Sequence, residues 1–288
     1  MTESRPTNVK QLDKLIDSWS EDEVDSRALV RRLRRMIGVT VLATMLDSLD
    51  EPNGNGPHLA LKGGAAIEVR FGVDARATRD VDALVDLDLN EAFDRIRERL
   101  AAGWEGFTGT LGERTESVRA GIVPAPQRCE IKLKYLNKGF TTLKFELGIA
   151  EAGSFSLVEQ VPPAVELDRV GLSPVGDVAV LGVHYQIAQK LHACTEPPAM
   201  DESNPRVHDI YDILLLRDLA TSDGLEHTKA ACEDTFRHRA KQTWPPALLE
   251  EENWPALWDA LDIPKEVRFP YEDARDELEQ FIREIVRS

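Results

Sequence analysis

Leu61-Lys62-Gly63-Gly64-Ala65-Ala66-Ile67-Glu68-Val69-Arg70-Phe71-Gly72-Val73-Asp74-Ala75-Arg76-Ala77-Thr78-Arg79-Asp80-Val81-Asp82-Ala83-Leu84-Val85 is the stretch on which the fold turns. Gly63 and Gly64 follow a short run, His58 to Leu61, that reads as a strand, and they open a helix expected over Ala65 to Phe71. Glycines at such a junction let a ligand approach the backbone closely. The first turn of the helix carries N–H groups with no intrahelical partner, and these suit an anion. A second strand is expected from about Arg79 to Leu87, because Val81, Ala83, Val85 and Leu87 alternate with Asp80, Asp82 and Asp86. Asp80 and Asp82 are two positions apart, so both carboxylates leave the strand on the same side. Together they form a hard oxygen site of the kind Mg²⁺ prefers. With an anion pocket beside a metal site, the natural ligand is a triphosphate.

Each piece has an ordinary reading as well. A glycine pair before a helix is often a plain turn, and Asp-x-Asp is often a solvated strand edge. The order carries more information than the pieces. Strand, glycine pair, helix and acidic strand is the layout of a nucleotidyltransferase core.

Upstream, Val9 to Trp19 reads as a helix with Leu12, Leu15 and Ile16 on one stripe. Ser20-Glu21-Asp22-Glu23 has the capping-box pattern, and a long helix follows to about Leu49 with Leu29, Leu33, Ile37, Val41 and Met45 every fourth residue. Arg27, Arg31, Arg32, Arg34 and Arg35 on that helix are the one dense basic cluster. They suit an RNA backbone, or else a solvated face paired with Glu21, Glu23 and Asp25. Glu51 to Pro57 is a loop.

Downstream, Asp88 or Asn90 caps a helix bearing Phe93, Ile96 and Leu100. Two strands then flank Asn137-Lys138-Gly139 as an antiparallel hairpin. Lys132, Lys134, Lys144 and Glu146 lie on its polar face. Glu146 is positioned to join the metal site and the lysines to meet phosphates. The competing reading is cross-strand ion pairing on an exposed face. From about Asp177 onward the pattern is helical, over Asp177–Ala193, Arg206–Leu219, His227–Lys241, Pro255–Leu261 and Glu272–Arg287. Trp244, Trp254 and Trp258 read as core of that region rather than a base-stacking platform. The expected organisation is α+β: residues 1–176 as a mixed-sheet core with N-terminal helices, and residues 177–288 as a helical domain completing the nucleotide and acceptor cleft.

The composition narrows the function. The chain has 288 residues, with 51 Asp+Glu against 35 Lys+Arg and a formal net charge of −16. At 42% hydrophobic and 30% charged residues it has the makeup of a folded soluble protein. No run approaches the 18 or so apolar residues of a membrane span, and the N-terminal residues lack the apolar core of a secretory signal, so a cytoplasmic protein is expected. Cys129, Cys194 and Cys232 are far apart and read as core thiols, and the six histidines form no zinc spacing. The acidic balance argues against broad, non-specific nucleic-acid binding but leaves room for a small footprint at one RNA end.

Gly63-Gly64 followed by Arg76-x-Thr78-x-Asp80-Val81-Asp82 resembles the first motif of the AbiEii/AbiGii toxin family of nucleotidyltransferase-like proteins, which includes the MenT-like toxins of type IV-like toxin–antitoxin systems. The family pattern is Gly-Gly or Gly-Ser, then Arg-x-Ser-x-Asp-Ile-Asp; here Thr78 stands for Ser and Val81 for Ile. Lys190, then Arg206-Val207-His208-Asp209-Ile210-Tyr211-Asp212, resembles the family's later Lys and Arg-x-Lys-Asp-x-x-Asp, with His208 in place of the second Lys. By itself Lys190 reads more readily as a surface Lys with a buried stem than as a phosphate ligand, and Arg206, Asp209 and Asp212 read as a local salt-bridge group.

The resemblance implies a polymerase-β-like fold and transfer of NMP from an NTP to the 3′ end of tRNA, blocking translation and growth. In that reading Asp80 and Asp82 hold Mg²⁺, with Glu146 as the third acid. Gly63, Gly64, Arg76, Thr78 and Lys190 bind the nucleotide. Asp209 orients Lys190 or the acceptor, and Arg206, Asp212, Lys132, Lys134 and Lys144 line the acceptor side. The implied partners are tRNA and an antitoxin encoded nearby, with a monomer as the expected state. Two rival readings are a nucleotidyltransferase modifying a small molecule such as an aminoglycoside, and a non-catalytic nucleotide-binding module of the same fold.

Overall fold

The alternating residues from Gln127 to Ile149 form the two longest strands of one mixed sheet. The computed structural model describes residues 5–19, 26–47, 58–117, 124–198, 202–263 and 268–288. The expected capping box at Ser20–Glu23, the acids Glu21, Glu23 and Asp25, and the loop from Glu51 to Pro57 lie outside them. The strands are β1 (Leu59–Lys62), β2 (Asp80–Val85), β3 (Phe107–Leu111), β4 (Thr115–Glu116), β5 (Gln127–Tyr135), β6 (Lys138–Ile149), β7 (Val158–Val161) and β8 (Val178–Leu181). Their order is β3-β5-β6-β2-β1-β8-β7, with β4 beside β5. β2 runs antiparallel to β1 and parallel to β6.

The turn between β5 and β6 is Leu136-Asn137, both at positive φ (47° and 64°), as a two-residue hairpin turn whose twist matches its strands requires. The turn expected at Asn137-Lys138-Gly139 is therefore shifted, and Lys138 and Gly139 already pair with β5. The helix expected over Asp177–Ala193 is also corrected. Val178–Leu181 is a fully buried strand parallel to β1, and the helix α5 begins only at Val183. A four-residue apolar run has no periodicity that separates a buried strand from a buried helix.

Helices α1 (Val9–Trp19), α2 (Ser26–Asp47), α3 (Gly63–Phe71) and α4 (Leu89–Ala102) accompany the sheet. α2 packs on α1, α3, α4 and β6, and α4 packs on β3 and β6. Ile37, Leu42, Phe93, Ile96, Leu100, Phe145 and Leu147 are buried there, and on the opposite face Arg128, Glu130, Lys132, Lys134 and Lys144 are exposed while Glu146 is buried. Asp88, not Asn90, caps α4, accepting from the backbone N–H of Asn90 (2.9 Å) and of Glu91 (3.2 Å).

The chain divides into two compact units. The first comprises residues 1–72, 77–150 and 158–180; the second comprises 73–76, 151–157 and 181–288. The second is helical, with α5 (Val183–Thr195), α6 (His208–Asp223), α7 (Leu225–Arg239), α8 (Trp254–Asp259) and α9 (Tyr271–Arg287). α5 packs on α6 and α7, and α9 packs on α6, α7 and α8. Trp254 and Trp258 are core residues whose indole N–H groups donate to Asn204 O (2.6 Å) and Phe269 O (2.8 Å). His184 of α5 bonds Thr228 of α7 (2.7 Å) and Asp223 of α6 (2.8 Å), which ties the three helices together. The three cysteines are free and buried. Among the described residues no helix is long and apolar enough to cross a membrane.

Candidate active site

In the first unit the site grows from the β1–α3 junction. Gly63 has φ +62°, and a β-carbon there would stand 2.9 Å from Asp82 Oδ2; one on Gly64 would stand 2.8 Å from Thr78 Oγ1. Side chains at 63 and 64 would thus occupy the space taken by the acidic strand and by Thr78. The Lys62 side chain does not cap α3, and the first turn of a helix carries N–H groups that suit an anion.

Sheet register places the acids. Lys62 of β1 is opposite Asp82 of β2, Asp82 is beside Glu146 of β6, and Glu146 is opposite Arg128 of β5. These four residues form one row across four strands. In the next row Asp80 is beside Lys144, which is opposite Glu130. In the third row Thr142 is opposite Lys132, which in turn faces Thr110 of β3. Lys134 lies one step further along. Asp80, Lys132, Lys134 and Lys144 are exposed, Asp82 is half-buried and Glu146 is buried.

Arg128 Nε donates to Glu146 Oε2 at 2.5 Å. That hydrogen bond, with the charges of Glu146, Asp80 and Asp82, holds the guanidinium even more firmly protonated than usual, against the effect of its own partial burial. Three carboxylates on neighbouring positions of two parallel strands are a hard oxygen donor set, and their chemistry fits a divalent cation. Among the described residues, however, no three His, Cys, Asp or Glu side chains converge closely enough to cage an ion.

The back of the acidic strand is braced. Glu68 of α3 is buried between Arg32 and Arg35 of α2, with Arg32 Nε 3.5 Å from its Oε1. Burial pushes the Glu68 carboxyl up, while Arg35, Arg32 and the Thr78 N–H pull it down. Arg35 also donates to Asp80 O at 3.0 Å, so it anchors the first residue of β2 to α2. Arg34 bonds Asp13 and Phe140 O and lies over the Phe140 ring at 4.5 Å. Of the expected basic cluster, Arg32, Arg34 and Arg35 therefore serve the fold, and Arg27 and Arg31 are exposed.

The second unit holds a buried charge cluster. Lys190 of α5 is only 5% exposed, so it is not a surface Lys. Its Nζ donates to Asp209 Oδ1 (2.9 Å) and Asp212 Oδ2 (2.5 Å). Arg206 Nε donates to Asp209 Oδ2 at 2.7 Å. Arg76 forks onto Asp212 at 2.9–3.1 Å. Tyr211 Oη donates to Asp74 O at 2.8 Å, which holds the same Val73–Arg76 segment against α6. Burial alone would push the Asp209 carboxyl up, but Lys190 and Arg206 override it and hold it well below the usual carboxylate range. His208 is 3.7 Å from Asp209, yet burial takes its imidazole down to about 4. It is neutral at pH 7 where the resembled motif carries a Lys. The cluster thus brings the cations Arg76, Lys190 and Arg206 onto the acids Asp209 and Asp212.

Two residues at or behind the site, Arg128 and Glu68, carry no sequence signal of their own, and Arg35 stands out in the sequence only as one of a basic cluster. The register of β5 against β6 is the only pointer to Arg128, and it requires the correct turn.

No curated protein sequence matches this chain. Its fold is similar to that of MenT4, a nucleotidyltransferase toxin from Mycobacterium tuberculosis H37Rv, at 14% identity, covering 94% of this chain and 89% of that one with a TM-score of 0.53. The antibiotic-resistance factor ANT(2'')-Ia matches at 20% identity over 71% of this chain and 93% of its own, with a TM-score of 0.37. The profile described as "Nucleotidyl transferase AbiEii toxin, Type IV TA system" matches residues 46–285. With a nucleotidyltransferase-type fold and a family match over most of its length, the chain belongs to the AbiEii family of nucleotidyl transferase toxins of type IV toxin–antitoxin systems.

Proposed function

We propose that this protein is a Mg²⁺-dependent nucleotidyltransferase that moves NMP from an NTP to the 3′ end of tRNA, acting in the cytoplasm and stopping growth by blocking translation. The observation that carries this reading is the row in which Asp82 and Glu146 stand side by side, one step from Asp80 and against the Gly63–Gly64 opening of α3. Asp80 and Asp82 would hold the metal, with Glu146 as the third acid, and the metal would supply charge neutralisation at the phosphates. The N–H groups at Gly63 and Gly64 bind phosphate oxygens, and the Thr78 hydroxyl lies against Gly64 to shape that pocket. Arg76 and Lys190 are assigned to the triphosphate, and Asp209 and Asp212 keep Lys190 aimed.

The acceptor hydroxyl oxygen forms the new bond to the α-phosphorus. The bond from that phosphorus to the pyrophosphate oxygen breaks, and the hydroxyl proton passes to solvent water. Catalysis of this kind rests on positioning and electrostatics more than on covalent participation by the protein. Lys132, Lys134 and Lys144 are assigned to the acceptor backbone, a small cationic footprint on an otherwise acidic protein. Membership of a toxin–antitoxin family supports a cognate antitoxin as partner, and we take the working form to be a monomer.

Incubation with each labelled NTP and either total tRNA or an aminoglycoside panel tests the proposal. Label entering tRNA, dependent on Mg²⁺, is the expected result. Label entering only the aminoglycosides would replace the acceptor, and no transfer with any NTP would leave a binding module.

A further inference from the structure

One cation of the acidic row, Arg128, is bonded directly to one of its acids. Arg128 faces Glu146 across β5 and β6 in register and bonds it at 2.5 Å. The two partners are unequally held: the Glu146 side chain is 3% exposed and that of Arg128 is 56% exposed. The acid is packed into the sheet, whereas the guanidinium lies at the surface with room to swing off. With Arg128 in this position, no three acids among the described residues converge on one ion, although Asp82 and Glu146 are neighbours in the sheet. A guanidinium does not deprotonate in proteins, so only displacement by another cation releases Glu146 from it.

We infer that Arg128 competes with the divalent metal for Glu146, so that Arg128 sets how readily the acidic row takes its cation. The inference rests on the metal-dependent reading above and adds a positioning residue to it. In the resting state the row is a two-acid site with its third acid neutralised by Arg128. Metal binding exchanges one counter-charge for another and leaves Arg128 at the rim. The Coulombic pull of Asp80 and Asp82 keeps the displaced guanidinium near the row.

The test uses the full-length protein and Mn²⁺ or Mg²⁺ alone, without nucleotide, read by calorimetric titration and by thermal unfolding. Arg128→Met keeps the apolar stem and removes the charge. It should melt below the wild type without metal, since it leaves a buried carboxylate uncompensated. It should bind Mn²⁺ about two- to fivefold more tightly, the scale of one partly exposed competing ion pair, and gain more in Tm from metal than the wild type does. Arg128→Lys, which keeps the charge, should move the same way by less and covers the case in which Arg128→Met does not fold. In a Glu146→Gln protein, Arg128→Met should no longer change Mn²⁺ affinity. A purely structural Arg128 would give a Tm loss that metal does not restore, and unchanged or weaker Mn²⁺ affinity would overturn the inference. Asp82→Asn separates the two levels. If Mn²⁺ binding depends on Asp82 but ignores Arg128, only this inference fails; if no binding depends on Asp82, the metal-dependent reading fails with it.

Discussion

Arg76 and Asp212, 136 positions apart, share a forked ion pair in which Nε and a terminal nitrogen of Arg76 both reach the Asp212 carboxylate. The pair joins the Arg of the first motif to the last Asp of the second. Asp212 is also held by Lys190, so a single buried carboxylate is shared by two cations. Asp212→Ala should therefore cost about 3 kcal/mol, the usual penalty for leaving buried charge uncompensated. Arg76→Lys should cost less but weaken the fork, because an ammonium offers no planar pair of donors. Urea midpoints measure both, and an Asp212→Ala protein as stable as the wild type would show that the cluster is not buried as described.

The acids of β2 are expected to act through charge rather than packing. Asp80 is exposed and Asp82 half-buried, so Asp80→Asn and Asp82→Asn should fold normally. On the proposed function, nucleotide transfer to tRNA should fall by at least about a hundredfold, the scale of removing one electrostatic group at a reacting phosphate or oxyanion. Thermal stabilisation by Mg²⁺ with NTP should vanish with it. Residual transfer near the wild-type rate in Asp82→Asn would sink the assignment.

Gly63 combines left-handed backbone with contact to Asp82. Gly63→Ala should destabilise the protein by about 1–2 kcal/mol through the strained φ. Because the new methyl would press on Asp82 Oδ2, transfer should fall by more than the stability loss explains. Comparing KM for NTP with the melting temperature of the variant checks this. Equal KM in the folded variant would show that the junction does not meet nucleotide.

Stability should decline on the acid side of neutrality. His192, pushed down mainly by burial and by Arg239, and His208, pushed down by burial, both have native values of about 4 against an ordinary 6.5. Between those values the unfolded chain binds protons that the native state does not. The stability they contribute is complete above about pH 6.5 and is lost as pH falls toward 4, up to about 3 kcal/mol for each. Asp209 extends the loss to lower pH, because its depressed carboxyl contributes stability only above the ordinary carboxylate range. Urea titrations at pH 7, 6 and 5 should show the decline, and His208→Gln should flatten part of it. An identical slope in that variant would mean that His208 is not held neutral.

The parts of the fold that are readable from the chain alone are those governed by neighbours in sequence. The glycine junction, the alternation in β2 and the stripes of α1, α2 and α4 each depend on residues within a few positions. The resemblance of two motifs is also visible there, because each is a short local pattern. The strand β8 escapes such a reading because Val178-Ala179-Val180-Leu181 is apolar throughout, and only its pairing with β1 makes it a strand. Arg128 escapes it because nothing near it in sequence distinguishes it from Lys132 or Lys134. Its significance comes from the residue opposite, and that depends on a turn placed one position away from where the sequence suggested.

By itself, then, the sequence determined the mixed-sheet core, the glycine pair, the acids beside it and the family. Tertiary structure decided the counter-charge of each acid: Arg128 for Glu146, Arg35 and Arg32 for Glu68, Lys190 and Arg206 for Asp209, Arg76 and Lys190 for Asp212. The reason is physical. Periodicity and backbone conformation are set over a few residues, whereas the energy of a buried charge depends on which group folding brings within about 3 Å of it. That distance is fixed by strand register and helix packing between segments far apart in the chain.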